Sequence, residues 1–379
     1  MFKKKGELFF MGKPLKIFAA AALTAAAALL RAESEPWNDL GVLEINREEP
    51  HAFFTVADSF EDALRPVGIE DVEKIYAGAN YLSLNGRWKF FFADTPEQVR
   101  PEFFGRDFDD SAWAGIDVPG TWQTQGYDTI SYTNTKLEFF FDREGRWLPE
   151  FAGMDGPEIP PGLAEPSIPE AHRQRAVYRT SFDLPAGWAQ KEVFLKFGGV
   201  KSGFKLFVNG VFAGYSEDCF TPAEFNVTRH LRPGRNSVAL EVYKFTTGSF
   251  FEAQDMPHTM GIFRDVEAVA RPKVFLRDYY AVADLSPDFK SASLDVALDV
   301  ANLSGAAAGG VRADVFIADS AGKILGGAPL ASGVLDCAPG GGKLRLKGEA
   351  SQFELWSPDK PNLYSIVIRL SDSAGAEIE

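Results

Sequence analysis

The sequence predicts an all-β protein, with a jelly-roll β-sandwich over residues 81–272 followed by an immunoglobulin-like β-sandwich over residues 273–379. Three observations predict it. Short apolar–polar alternations recur at regular spacing, each bounded by Gly, Pro, Asn or Asp. Phenylalanine is heavily used, 33 residues beside 7 Trp, which suits the wide cores between facing sheets. No stretch reads as strand, helix, strand, so a doubly wound parallel sheet is excluded.

Each element has its own signal. Asn85-Gly86 is a turn that opens an aromatic strand through Trp88 and Phe90. Residues 178–184 alternate, and residues 192–197 put Val193, Leu195 and Phe197 on one face. Residues 204–208 and 211–215 flank Asn209-Gly210, the strongest hairpin signal in the chain. The turn Arg232-Pro233-Gly234-Arg235-Asn236 feeds a strand over residues 237–245, and residues 261–270 form another that ends at Arg271-Pro272. In the second sandwich Leu294, Val296, Leu298 and Val300 alternate with polar or small residues, and residues 311–317 and 362–370 read as further strands. The chain closes on a turn over residues 372–375, so this sandwich is expected to lack its last strand and to leave Val367 on an unprotected edge.

The flanking and intervening segments read differently. Lys3, Lys4, Lys5, Lys13 and Lys16 precede an apolar, Ala-rich run over residues 17–30, the length of a signal-peptide core; residues 1–32 are expected to be removed on export to the periplasm or the medium. Residues 33–80 read as an N-terminal arm, extended over 37–47 with a short helix over 69–77, that wraps the following domain. Residues 137–176 hold Pro149, Pro157, Pro160, Pro161, Pro166 and Pro169 among several aromatics, which argues against plain disorder and suggests a rim to a pocket or a cover for a sheet edge.

A formal net charge of −14 repels phosphate backbones, so nucleic acid and anionic membranes are excluded as partners, and membrane insertion is not expected once the leader is removed. Cys219 and Cys337 fall in different sandwiches and make no disulfide framework. His51, His172, His230 and His258 show no metal-ligand spacing, and no phosphate-binding loop or nucleophile elbow is present.

Several stretches carry a resemblance when taken in order. They are Leu84-Asn85-Gly86-Arg87-Trp88, Val118-Pro119-Gly120-Thr121-Trp122-Gln123, Gly126-Tyr127-Asp128 with Tyr132-Thr133-Asn134, and Phe197-Gly198-Gly199-Val200. Val208-Asn209-Gly210, Gly214-Tyr215-Ser216-Glu217-Asp218, Gln254-Asp255-Met256 and Gly261-Ile262-Phe263-Arg264-Asp265-Val266 follow, then Leu355-Trp356-Ser357-Pro358 and Pro361-Asn362-Leu363-Tyr364. This series resembles the N-terminal half of glycoside hydrolase family 2, closest to its β-galactosidases. The resemblance implies a galactose-binding-like jelly roll and an immunoglobulin-like domain, ahead of a barrel that carries two catalytic glutamates and is absent from this chain. No catalytic residue is therefore assigned, and the chain alone is expected to be inactive.

The same resemblance implies two site residues, Asn134 and Asp218, that reach from the jelly roll toward a galactoside, with Asp218 also a ligand to a sodium ion in a partial site. Magnesium would belong to the absent barrel. An amide and a carboxylate suit sugar hydroxyls, which both donate and accept. Without the resemblance, Asn134 reads as a turn residue and Asp218 as a loop cap near Thr221. Glu217-Asp218-Cys219 departs from the family's commonest Gln-Asp-Ser. Trp88, Trp113 and Trp122 read as packing, Asp255 as structural and Arg264 as a tie between domains. The implied activity is hydrolysis of terminal β-galactosides, with a homo-oligomer as the full-length form; the alternatives are another family specificity, β-glucuronidase or β-mannosidase, and a free-standing carbohydrate-binding module.

Overall fold

The structure, a computed structural model, describes residues 35–65, 78–133, 168–252 and 254–379. The leader, the helix expected over 69–77, Asn134 and most of the insert over 137–176 lie outside the described residues. The fold is all-β. Its one described α-helix is the single turn Phe60–Ala63, and none among the described residues is long and apolar enough to cross a membrane.

A seven-stranded antiparallel sheet runs in the order Glu44–Ile45, Val211–Ser216, Gly203–Val208, Gly234–Tyr243, Arg175–Leu184, Gly86–Ala93, Ala114–Val118. It faces a four-stranded sheet ordered Ala223–Asn226, Glu192–Phe197, Val266–Arg271, Tyr81–Ser83. Alternation decides which side chains lie between them: Trp88, Phe90, Tyr178, Leu240 and Val242 from the first sheet meet Leu195, Phe197, Phe225 and Ala268 from the second. Asn209 and Gly210 both adopt positive φ, 51° and 84°, as a two-residue hairpin requires.

The strand expected over 261–270 is two strands. Gly261–Ile262 pairs with Val200–Lys201, Val266–Arg271 joins the four-stranded sheet, and the chain turns a corner between them. The alternation survives on both sides of that corner, so the sequence pattern does not show the break.

Residues beyond 273 form two three-stranded sheets. One is ordered Val274–Leu285, Ser291–Asn302, Gly342–Ser351; the other Ala331–Cys337, Ala308–Asp319, Tyr364–Ser371. The alternating Val296, Leu298 and Val300 fill the space between them with Val311, Ala313, Val315 and Leu370. Val367 is itself buried, and past the turn at Gly375 the chain comes back onto Leu370, whose N–H donates to the Glu379 carbonyl at 2.7 Å and whose carbonyl accepts from Ile378 N–H at 2.8 Å. Among the described residues no strand pairs along the outer edge between Tyr364 and Arg369. Both cysteines are free and buried, Cys337 in the core of the second sandwich and Cys219 in the loop after Val211–Ser216.

The arm straps both units. Glu44 and Ile45 add a short strand beside Ser216 and Tyr215, while Ala52 N–H donates to Asp278 at 2.8 Å and Phe60 packs on Phe316 with ring centroids 4.6 Å apart.

Candidate functional site

The strand Val211–Ser216 delivers the loop that carries Asp218. At Gly214 a Cβ would fall 2.4 Å from the Phe225 ring and 2.6 Å from the Ile45 carbonyl, so only glycine lets the arm lie against this strand. Past Ser216 the backbone stays anchored, because Glu217 N–H donates to the Leu43 carbonyl at 3.0 Å. Glu217 turns inward and is 2% exposed. Its carboxylate accepts from the Tyr215 hydroxyl, from the Thr247 hydroxyl at 3.1 Å and from Gly248 N–H. Asp218 turns outward.

Asp218 has the geometry of a loop cap. Oδ1 accepts from Phe220 N–H and Thr221 N–H, each at 3.3 Å, and Oδ2 accepts from the Thr221 hydroxyl. The Arg47 guanidinium lies 3.4 Å from Oδ2; its side chain is 4% exposed while that of Asp218 is 42% exposed. Partial burial pushes the Asp218 carboxyl up, but the Thr221 and Phe220 hydrogen bonds and the Arg47 charge outweigh it and hold it below the usual range. Asp218 is thus an ionised, pinned and half-exposed carboxylate.

This set does not fit a sodium ion by itself. Hard cations take several oxygen ligands, whereas here one carboxylate already accepts four hydrogen bonds, one of them from a guanidinium. No group of three or more His, Cys, Asp or Glu suited to a metal occurs among the described residues.

The loop is tied to the other segments read from the sequence. Cys219 N–H donates to Glu252 at 2.9 Å. Downstream of Glu252, Met256–His258 pairs with Ser131–Thr133, and the Tyr132 hydroxyl donates to Asp255 at 2.6 Å. The contacts thus tie the Asp218 loop to Glu252 and, separately, the Asp255-Met256 stretch to the strand that leads directly into Asn134, which itself lies outside the described residues. Arg264 donates to the carbonyls of Phe220 (2.8 Å) and Gly198 (3.3 Å), so it ties loops within the jelly roll and not the two domains. Trp88 and Trp122 are core residues, and Trp113 packs between Phe91 and Phe108. Sequence reasoning missed Arg47 and Glu217. The resemblance carried one available signal for Glu217, the replacement of Gln by Glu.

That replacement has a measurable consequence. Burial pushes the Glu217 carboxyl from 4.5 up to about 7, against hydrogen bonds from Tyr215, Gly248 and Thr247 that favour the charged form. The folded chain therefore keeps a proton that the unfolded chain loses, and stability falls as pH rises from 4.5 to about 7. Glu217→Gln removes that slope. Urea unfolding is expected to find the variant equal to the parent near pH 5 and more stable near pH 8 by on the order of 2 kcal/mol. An unchanged difference between the two pH values would mean the carboxyl ionises freely in the fold.

The chain is built of two antiparallel β-sandwiches, with a polar loop cluster beside the seven-stranded sheet. The chain belongs to glycoside hydrolase family 2: the family's sugar binding domain matches residues 157–272 and its following domain matches residues 274–379. The β-galactosidase of Priestia megaterium is 31% identical over 344 residues, which are 90% of this chain and 30% of that protein. The β-galactosidase of Clostridium acetobutylicum is 32% identical over 89% of this chain and 33% of its own length. The chain thus spans about a third of the curated relatives it matches. A Bacteroides uniformis β-glucuronidase structure superposes with a TM-score of 0.59 over 79% of this chain and 31% of its own, at 20% identity, a likeness of fold.

Proposed function

We propose that this chain is the N-terminal, non-catalytic part of a β-galactosidase, and that Asp218 contributes a carboxylate to recognition of the galactosyl group. The observation that supports this reading is the match of about 90% of the chain to proteins named β-galactosidase, together with an ionised, pinned Asp218 at the end of the Gly214-Tyr215-Ser216-Glu217-Asp218 stretch. A carboxylate already fixed by two backbone N–H groups loses little entropy on accepting a sugar hydroxyl. The two cores are sandwiches, and retaining glycoside hydrolysis needs two carboxyls roughly 5 Å apart across the scissile bond, a pair that the resemblance implies lies in a barrel beyond this chain.

The test has two arms. The chain alone should release no chromophore from a chromogenic β-galactoside above a heat-treated control. In the full-length gene product the β-galactoside should be preferred to the β-glucuronide, and Asp218→Ala should raise KM through loss of roughly 1.5–3 kcal/mol, with Asp218→Asn milder. If Asp218→Ala keeps the parent KM, Asp218 is only a loop cap. A preference for the β-glucuronide would replace the galactoside reading.

A further inference from the structure

The outward face of the seven-stranded sheet bears a cleft of about 510 Å³ that no part of the preceding reading uses. Alternation builds it. Trp88, Tyr178 and Val238 point into the core, so Arg87 and Lys89, Arg179 and Ser181, and Arg235 and Ser237 point out from three neighbouring strands. Register sets Lys89 opposite Arg179 and Ser237 opposite Ser181. A loop over residues 100–110 folds across one end and adds Arg106 and Phe108.

Five cationic side chains line this one cleft, with Asp107 and Asp110 as its acids, on a chain whose formal net charge is −14. Two of the five are already engaged. Arg179 is buried, donates to Asp110 at 2.7 Å and also bonds the Phe103 and Gly105 carbonyls, so it is structural. Arg87 pairs with Asp117 at 3.0 Å, an exposed contact that competes weakly with a ligand. Among the described residues no carboxylate pairs with the other three. Lys89 reaches only the Ser111 carbonyl at 3.4 Å, and Arg235 gives one N–H to Ser181 at 3.0 Å. Arg106 is exposed and makes no ion pair or hydrogen bond with a described residue.

The Ser237 hydroxyl is buried and has no hydrogen-bond partner among the described residues. Clustered like charges and an unmade hydrogen bond both cost stability, and an anion rich in oxygen atoms relieves both. Phe108, braced edge-on by Trp113 at 5.3 Å, already carries the Arg179 and Arg100 guanidinium groups 5.3 and 5.7 Å from its ring centroid, so it stiffens the cleft wall. The volume is that of a small-ligand site and not of a groove for a polymer backbone.

We propose that this cleft binds a short acidic oligosaccharide, a sugar unit bearing sulfate or carboxylate, with Arg106, Arg235 and Lys89 on the anion and Ser237 on a sugar or anion oxygen. The anionic part rests on the charges alone. The choice of a sugar as its carrier rests on membership of a glycoside hydrolase family, and the cleft shares no residue with the Asp218 loop.

Calorimetric titration of the full chain tests it with four probes: a sulfated galactose disaccharide, a uronate-containing disaccharide, neutral galactobiose and inorganic sulfate. At least one charged disaccharide should bind about tenfold or more tighter than both galactobiose and sulfate, and weaken as salt is raised. The Arg106→Glu, Arg235→Glu double variant should lose about tenfold or more of that affinity, and Ser237→Ala part of it. Both arginines are exposed, so the melting temperature should hold; if it falls, the Arg106→Gln, Arg235→Gln pair replaces the variant. Asp218→Ala should leave this binding unchanged, which separates failure here from failure of the galactoside reading. Equal binding of galactobiose, equal binding of sulfate alone, no binding of either charged disaccharide, or parent affinity in the double variant overturns the proposal.

Discussion

Arg271→Ala is expected to destabilise the chain by about 3–5 kcal/mol, the cost of stripping one partner from a buried ion pair. Arg271 ends the strand Val266–Arg271 of the jelly roll, and Glu379 belongs to the second sandwich. The two side chains are 6% and 11% exposed and meet fork to fork, at 2.6 and 2.7 Å. The pair also satisfies the backbone at the junction: Arg271 donates to the Leu276 carbonyl at 2.7 Å, and Leu276 N–H donates to Glu379 at 2.9 Å. The guanidinium further lies 4.7 Å from the Phe275 ring centroid and 5.2 Å from that of Phe54. Alanine leaves a carboxylate in this apolar corner with one N–H. Glu379→Gln keeps one oxygen for Leu276 N–H and one guanidinium N–H, but its amide NH2 faces the other N–H and the arginine charge is left unpaired, so a loss of the same direction and no greater size is expected of it. Urea unfolding followed by tryptophan fluorescence reads both. A loss below about 1 kcal/mol for Arg271→Ala would mean that water enters the junction and screens the pair.

How legible this junction was in the sequence is instructive. Arg271-Pro272 marked the end of a strand, but the partner of Arg271 lies 108 residues away, and nothing local encodes that distance. Arg47 is the same case: its partners Ser216, Asp218 and Thr221 are 169 to 174 residues distant, so an arm residue became part of the candidate site only in three dimensions. What the sequence did carry was short-range. Asn209-Gly210 announced its hairpin through backbone conformation, and Val296, Leu298 and Val300 announced a core face through period two. The strand Val274–Leu285 carries little apolar alternation, because most of it past Leu276 is partly or wholly exposed. Gly342–Ser351 is different. Leu344 and Leu346 alternate with Lys343, Arg345 and Lys347, so here the period-two signal is present in the sequence. The candidate site was legible as ordered motifs, while the buried Glu217 beneath it depended on the tertiary wrap of residues 246–250.

Trp122→Ala should cost about 3–5 kcal/mol and should loosen the site as well as the core. Trp122 is fully buried, sits edge-on to Phe92 at 5.4 Å and donates its indole N–H to the Tyr178 hydroxyl at 2.5 Å. Burial drives the Tyr178 hydroxyl far above its ordinary range, against the Trp122 hydrogen bond, so it stays a neutral phenol. The backbone of Trp122 is equally committed, since its N–H donates to the Met260 carbonyl at 2.8 Å and neighbouring Gly120 donates to Ile262 at 2.7 Å. Gly261 faces this assembly with φ at 129°, and a Cβ there would sit 2.9 Å from the Gly120 carbonyl and 3.1 Å from the indole. The indole thus braces residues 260–262 just after Met256–His258, the strand that pairs with Ser131–Thr133. Trp122→Phe separates the two contributions: it keeps the ring packing and loses the N–H, and should cost about 1–2 kcal/mol. Chemical denaturation gives the energies, and hydrogen exchange at Tyr132, Thr133 and Met256 reads the coupling to the site. If Trp122→Ala loses stability while those amides keep the parent protection, the core and the Tyr132–Asp255 contact are independent, and the path from Trp122 to the site is wrong.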